Sequence, residues 1–411
     1  MKNVTIIGAG IVGICSALSL AEAGAKVTLI DRDLPGQGAS SGNAGVISPW
    51  SIIPQSMPGV WKNIPRWVLD PNGPVSVKIS HLPQLLPWAL KFLSNAKMDR
   101  VQAAIEAMET LNHSNIELYR SHLAGTGHEN LIQDCYYVHA YRNEESAQLS
   151  ALEYSLRQDR GAQLERIGAK ALQELEPALS KEFKAAILIK GQARATSPGK
   201  IGEILADKFR SMGGIIKQTE VRSLQPNEDL WQIVTRTGTF EAENLVLSAG
   251  AWSADLLRPL GVDIPMQAER GYHAMFENPG VKLTHSIMDV DHKCVASSMD
   301  HGLRVAGQAE FANMNAPATE AKAQRMGTLA RKMIPGLPDT LPITWMGVRP
   351  SLPDSLPCIG EVPGMSGLYA AFGHSHYGLM MAPKTGRLIA DLIMNKPIND
   401  DISPFRVNRF S

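Results

Sequence analysis

The chain of 411 residues has only four cysteines, and none stands in a Cys-x-x-Cys pair. Cys15, Cys135, Cys294 and Cys358 lie far apart, which argues against a zinc site or a disulfide framework. Sparse, unpaired thiols suit a reducing cytoplasm. Excess charge is also missing, because 40 Lys and Arg face 40 Asp and Glu. That balance disfavours nucleic acid as the main partner, since neutralising phosphates takes a basic surplus. No apolar run reaches the ~20 residues of a membrane-crossing helix. No His, Asp and Glu cluster has metal-ligand spacing, and no hydrolase nucleophile elbow occurs. What remains, 44% hydrophobic and 19% charged residues, is the composition of a globular protein. The length predicts about two or three domains.

The first thirty residues carry the strongest pattern. Val4-Thr5-Ile6-Ile7 is a short β-branched run. Gly8-x-Gly10-x-x-Gly13 follows, then apolar residues at helical spacing to Ala23, then a second strand ending at Asp31. The glycines and the early charges Glu22 and Lys26 distinguish this from a secretory signal. Each part has a task in holding a dinucleotide. Gly8 permits the tight turn, Gly10 lets a pyrophosphate approach the backbone, and Gly13 lets helix and strand pack. The helix N-terminus at Ile11 and Val12 offers unpaired N–H groups to phosphate. Asp31, with Arg32 after it, is placed to accept from ribose hydroxyls, and its charge would repel a 2′-phosphate.

Three later stretches extend the pattern. Ser40-Ser41-Gly42-Asn43-Ala44-Gly45-Val46 is a small, polar loop where an NAD half would continue with a helix. On composition alone a mobile surface loop also fits. Residues 244–252 read as a buried strand ending at Ala249-Gly250, followed by Trp252. Residues 368–383 read as a strand, then a glycine turn from Gly373 and His374 to Gly378, Leu379 and Met380, with a helix expected over 385–393. Three strand ends with glycine turns suit one long cofactor along a sheet edge, and FAD is the natural candidate.

With these motifs, and with Gly347-Val348-Arg349-Pro350 and Ser48-Pro49, the chain resembles the FAD-dependent amine and amino-acid oxidoreductases. These include D-amino-acid oxidase, glycine oxidase, sarcosine oxidase and the bacterial D-amino-acid dehydrogenases. It is most similar to the dehydrogenase branch, including enzymes that oxidise D-hydroxyproline. The resemblance spans nearly the whole chain. It implies an α/β fold in which a Rossmann-type FAD-binding domain (residues 1–60, 160–258 and 343–411) is interrupted by an α+β substrate-binding domain with a mixed sheet (61–159 and 259–342). Within these, helices are expected over 101–119 and 198–209. Strands are expected over 215–221, 271–276 and 302–307. The resemblance sets the backbone of Val221 on the adenine and the turn at Gly347 and Gly373 against the flavin.

The implied chemistry is hydride transfer from a substrate Cα to the flavin. Arg349 is the candidate carboxylate clamp, because a guanidinium binds a carboxylate through two parallel hydrogen bonds. From the residues alone, a surface ion pair fits Arg349 equally well, and the resemblance decides for the clamp. Tyr272 is a second candidate on the substrate side, against a half-buried strand tyrosine. His374 is a candidate for steadying the reduced flavin, whereas His376 reads better as a capping residue. His113 and His122 read as exposed helix residues. Sarcosine oxidases tether flavin through a cysteine just before the Pro-Asp that corresponds to Pro353-Asp354. Gly347 and Val348 occupy that region here and Cys358 lies beyond it, so the FAD is expected to be non-covalent.

Residues 50–92 interleave Trp50, Trp61, Trp67 and Trp88 with Lys62, Arg66, Lys78 and Lys91. That pattern suits peripheral contact with a membrane and electron transfer to a quinone. Aromatics covering the flavin or filling the substrate domain fit better, because Pro54, Pro58, Pro65 and Pro71 forbid a long helix there. Three functional readings stay open: a D-amino-acid dehydrogenase, a glycine or sarcosine oxidase that releases peroxide, and a flavoprotein subunit of a larger complex.

Overall fold

The computed structural model describes residues 1–62 and 73–410. Pro65, Arg66, Trp67 and Pro71 lie outside the described residues.

The N-terminal strand Asn3–Ile7 is central to a six-stranded sheet. It pairs in parallel with Lys26–Asp31 on one side and Asn244–Leu247 on the other. Ile215–Gln218 and Leu368–Phe372 extend the parallel set, and Cys358–Glu361 closes one edge antiparallel. Parallel strands need crossover connections, so helices cover the sheet. Ile11–Glu22 and Gly378–Ile393 lie so close that a Cβ on Gly386 would stand 2.5 Å from the Cys15 carbonyl oxygen. Ile6, Ile14, Leu18, Leu29, Val246 and Ile389 are completely buried between them.

A ten-stranded mixed sheet forms the other half. Gln267–Phe276 lies in it between Ile343–Ser351 and Gly302–Phe311, both antiparallel. The helix Glu320–Met333 covers one face through Ala323, Met326, Ala330 and Met333. The other face looks toward the parallel sheet.

Several boundaries depart from the sequence expectation. Leu164–Gly168 and Ala185–Ala195, assigned by sequence to the flavin half, pair within the ten-stranded sheet. So does Ile343–Ser351. The expected strand over 215–221 stops at Gln218, and Val221–Asn227 starts a separate three-stranded antiparallel sheet. The expected helix over 101–119 is two helices, Met98–Asn112 and Asn115–Leu123, because the Ser114 backbone leaves the helical region (φ −107°, ψ 19°).

The final helix begins at Gly378, seven residues before the expected start, with Pro383 inside it. Proline lacks the N–H that would bond to the carbonyl four residues earlier, at Leu379. The Tyr119 hydroxyl donates to that same carbonyl at 2.6 Å. A side chain 260 residues away in sequence thus satisfies the group that Pro383 leaves open.

Candidate active site

A cleft of about 2240 Å³ runs between the two sheets. It exceeds the ~300–1,000 Å³ of an ordinary ligand pocket and has room for a cofactor beside a substrate.

The fingerprint turn forms one end. Gly8 has φ +107°, and a Cβ there would lie 2.3 Å from the Ser248 carbonyl oxygen. Gly10 is the opposite case: a Cβ would meet nothing within 4 Å. Gly10 also leaves the next helix without a side-chain cap, so its first N–H groups face open space. Asp31 accepts from the Ala9 amide at 2.5 Å and the Asp33 amide at 2.9 Å. Burial raises its pKa, and the two amides oppose that shift. Arg32 lies over the Trp252 ring at 4.0 Å, joining two sequence-distant stretches at the cleft wall.

The loop after Asp31 is pinned. Arg304, from the other sheet, donates to the carbonyls of Ser41 (2.7 Å) and Asn43 (2.8 Å). Asn43 accepts from the Gly45 amide at 2.8 Å. Ser40, Asn43, Ala44 and Val46 border the cleft, as do Val221, Ala249 and Gly250. Gly13, Ser41 and Gly45 do not border it; they shape the turn and loop behind it. A Cβ on Gly13 would stand 1.8 Å from the Gly8 carbonyl oxygen, and one on Gly45 2.4 Å from that of Ala195.

At the other end a buried carboxylate organises the polar groups. Glu269 is 2% exposed. It accepts from Arg349 Nη1 at 2.7 Å and from Ser351 Oγ at 2.8 Å. The His376 Nε2 lies 2.6 Å from its Oε1, off hydrogen-bond alignment. Burial would raise the Glu269 pKa, but His376, Arg349 and Ser351 outweigh it and hold the value at about 2. Arg349 also donates Nη1 to the Gln308 carbonyl at 2.8 Å. Its Nε and Nη2 have no hydrogen-bond partner among the described residues, and it borders the cleft.

The other sequence candidates fall differently. Glu269 and Arg349 are opposite each other in the strand register, with Gly271 and Gly347 next on the same face. Alternation therefore turns Tyr272 to the opposite face. Its hydroxyl donates to Glu310 at 2.6 Å, in the apolar cluster under Glu320–Met333. Tyr272 touches the cleft margin, but its polar end points away from Arg349. His374 is 3% exposed and bonds to Thr385 Oγ1 at 3.0 Å. Burial lowers its pKa to about 3, so the imidazole is neutral. His376, read from sequence as a cap, is the histidine that meets the buried acid. His122, expected on the surface, is 5% exposed.

Sequence reading missed Glu269, Gln308, Arg304 and Trp345. The Trp345 indole stacks on His273 at 5.1 Å and lies so near Gly42 and Gly347 that a Cβ on either would stand 2.0 Å from it. The one available signal was Glu269, a lone acid in a strand just before Gly271. The cleft has no cysteine on its wall, and no cluster able to hold a metal ion occurs among the described residues.

The profile of the FAD dependent oxidoreductase family, DAO, matches residues 3–392. The chain belongs to this family. It is an FAD-dependent oxidoreductase, and the glycine-lined cradle, the uncapped helix N-terminus and Asp31 suit the adenosine and pyrophosphate of FAD. A protein named D-amino-acid oxidase, from Bradyrhizobium diazoefficiens, is 35% identical over 417 residues, covering 100% of this chain and 99% of that one. A protein named D-amino acid dehydrogenase, from Allorhizobium ampelinum, is 27% identical over 427 residues, with 100% and 99% coverage. Glycine oxidase from Geobacillus kaustophilus shares the fold at a TM-score of 0.75 and 23% identity, covering 100% of this chain and 99% of that one. L-proline dehydrogenase from P. horikoshii shares it at 0.76 and 20% identity, with 100% and 97% coverage.

Proposed function

We propose that this oxidoreductase is a dehydrogenase of D-amino acids, with cyclic secondary amines such as D-proline and cis-4-hydroxy-D-proline among its substrates. Bound FAD supplies a hydride acceptor for the Cα–H bond, held without a covalent link to the chain. The chain's own residues bind and orient the substrate. The observation that carries the reading is Arg349, a guanidinium with free N–H groups on the cleft wall, steadied from behind by buried Glu269. Such a group suits a carboxylate paired through two hydrogen bonds, and fixing the carboxylate limits how the Cα can lie. Two relatives with D-amino acid names support the choice of substrate class. A primary amine would leave as an imino acid, which water converts to an oxo acid and ammonia. A cyclic amine would leave as a cyclic imine.

A second reading, an oxidase that passes electrons to oxygen, is favoured by the name of the 35% identical relative. The dehydrogenase reading is favoured by an apolar row on the outside of the helix Leu82–Ser94 and of the turn Ile79–His81 before it. Ile79, Leu82, Leu86 and Leu90 are exposed, while Leu85 and Trp88 are buried on the other face, where they border the cleft. Over residues 34–98 the sequence has Lys62, Arg66, Lys78, Lys91 and Lys97 against a single acid, Asp70. Apolar and basic groups together fit peripheral docking on an anionic bilayer, where a quinone would take the electrons. No helix among the described residues is long and apolar enough to cross a membrane. The four free, buried thiols fit the reducing cytoplasm.

The test is anaerobic mixing with D- and L-amino acids, proline derivatives and N-methylglycine. Bleaching of the flavin by D-amino acids is expected. Bleaching by none of them overturns the reading, and peroxide release matching turnover under air would select the oxidase.

A further inference from the structure

Seven described residues other than glycine have positive φ. Glu228, Asn278, Lys293, Ser355, Ser375 and Asn395 lie between elements, where turns ask for that conformation. Gln308 (φ 60°) is the exception, because it lies inside the strand Gly302–Phe311. It sits at a bulge, where the pairing with Gln267–Phe276 shifts register. Its side chain is 5% exposed, and neither Oε1 nor Nε2 has a partner among the described residues. It borders the cleft, and its carbonyl accepts from Arg349.

Each of these features costs stability. A left-handed conformation in a residue with a side chain is strained, and a buried amide without partners forfeits its hydrogen bonds to water. Leucine would fill similar space without the orphaned atoms. Bulges beside functional sites commonly re-aim a side chain. This one turns the Gln308 carbonyl onto Arg349, on a residue that borders the cleft and whose amide is buried without a partner among the described residues.

We propose that Gln308 is a substrate-binding residue that completes the Arg349 site by hydrogen bonding to the head group of a zwitterionic amino acid. Arg349 can only donate. An amide has a donor in Nε2 and an acceptor in Oε1, which match a carboxylate and an amine respectively. The glutamine side chain has three rotatable bonds, through which its buried amide would turn toward a ligand held by Arg349, whose guanidinium already meets the Gln308 carbonyl. The inference rests on the amino-acid reading of the cleft and adds to it that the amine is recognised as well as the carboxylate.

The test compares the wild-type holoenzyme with Gln308→Leu and Gln308→Gly. Affinity is read from the flavin spectrum in anaerobic titrations with two inert probes, both selected as bound by the wild type. One is an α-methyl amino acid, which lacks a Cα–H, and the other is the matching carboxylic acid without the amine. Thermal melting is read in parallel. Both variants are expected to bind the amino acid about tenfold to a hundredfold more weakly, the range for a hydrogen bond to a charged group. The loss should be smaller for the plain acid. Both should melt no lower than wild type, with Gln308→Gly higher because glycine relieves the strained φ. A purely structural role would lower melting and leave affinity alone. Unchanged affinity for the amino acid in both variants overturns the proposal. If the wild-type flavin is bleached by no amino acid, the functional reading itself fails, which the variants alone would not cause.

Discussion

Arg349 is held by the carboxylate of Glu269, and the proposed function gives it a second carboxylate to bind. Its Nη1 is committed to Glu269 and the Gln308 carbonyl, and Nε and Nη2 have no hydrogen-bond partner among the described residues. Arg349→Met is expected to weaken binding of a carboxylate ligand by roughly 2–5 kcal/mol, the cost of removing one partner of a buried charge pair. FAD should stay bound, because the fingerprint lies at the other end of the cleft. A spectral titration with an inert carboxylate checks this, and unchanged affinity would remove Arg349 from the role. Adding Glu269→Gln should restore stability lost in Arg349→Met, since it removes the charge left without its guanidinium. It should restore no affinity. His374 sets a pH dependence. Its folded pKa of about 3 lies below the ordinary 6.5 because burial excludes the charged form. As pH falls below about 6.5 the unfolded chain takes up this proton first. The stability His374 contributes is therefore full above that pH and is lost on the way down to about 3. Urea midpoints at pH 7.5 and 5 should fall less in His374→Asn than in wild type. Glu176 acts in the opposite sense, since burial raises its pKa to about 7. The difference between variant and wild type isolates the histidine.

At the scale of elements, the final helix shows how a broken local rule is repaired from a distance. Pro383 removes one helical hydrogen bond, and the Tyr119 hydroxyl replaces it at the Leu379 carbonyl. Tyr119→Phe is expected to cost about 1–3 kcal/mol, as for any buried acceptor left unpaired. In a Pro383→Ala background the restored N–H should reach the same carbonyl, so the cost of Tyr119→Phe should shrink. A double-mutant cycle by urea denaturation measures the coupling, and equal costs in both backgrounds would show that the hydroxyl is not the replacement. The strand Gln267–Phe276 shows alternation deciding function. Glu269 faces the cleft with Arg349, and Tyr272 faces the helix Glu320–Met333. The sequence marked Tyr272 as amphipathic, but which face it took depended on the register with Ile343–Ser351.

For the whole molecule, the sequence carries one strong charge asymmetry. A chain with no net charge has five cations against one acid in the sequence over residues 34–98, a stretch that also carries the exposed row Ile79, Leu82, Leu86 and Leu90. Sedimentation with anionic vesicles is expected to carry the enzyme down at low salt, less so as salt rises to ~0.5 M, where charge attraction is screened. Leu86→Glu with Leu90→Glu should abolish the binding and leave flavin content unchanged. Equal sedimentation of this variant would discard the apolar row as the docking face.

The sequence by itself determined the glycine turn and the acid that follows it. Gly8, Gly10, Gly13 and Asp31 act through backbone conformation and near-neighbour spacing, and both are written locally. It also marked Arg349, through the family resemblance of Gly347-Val348-Arg349-Pro350. Only the tertiary structure decided which side chains gather around Arg349. Glu269, Gln308, Arg349 and His376 come from three strands and a turn more than a hundred residues apart at the extremes, and no local pattern encodes their meeting. Their arrangement follows from register, a bulge and burial, which exist once the strands have paired. The same holds for Tyr119 and Pro383, whose partnership depends on two helices packing side by side.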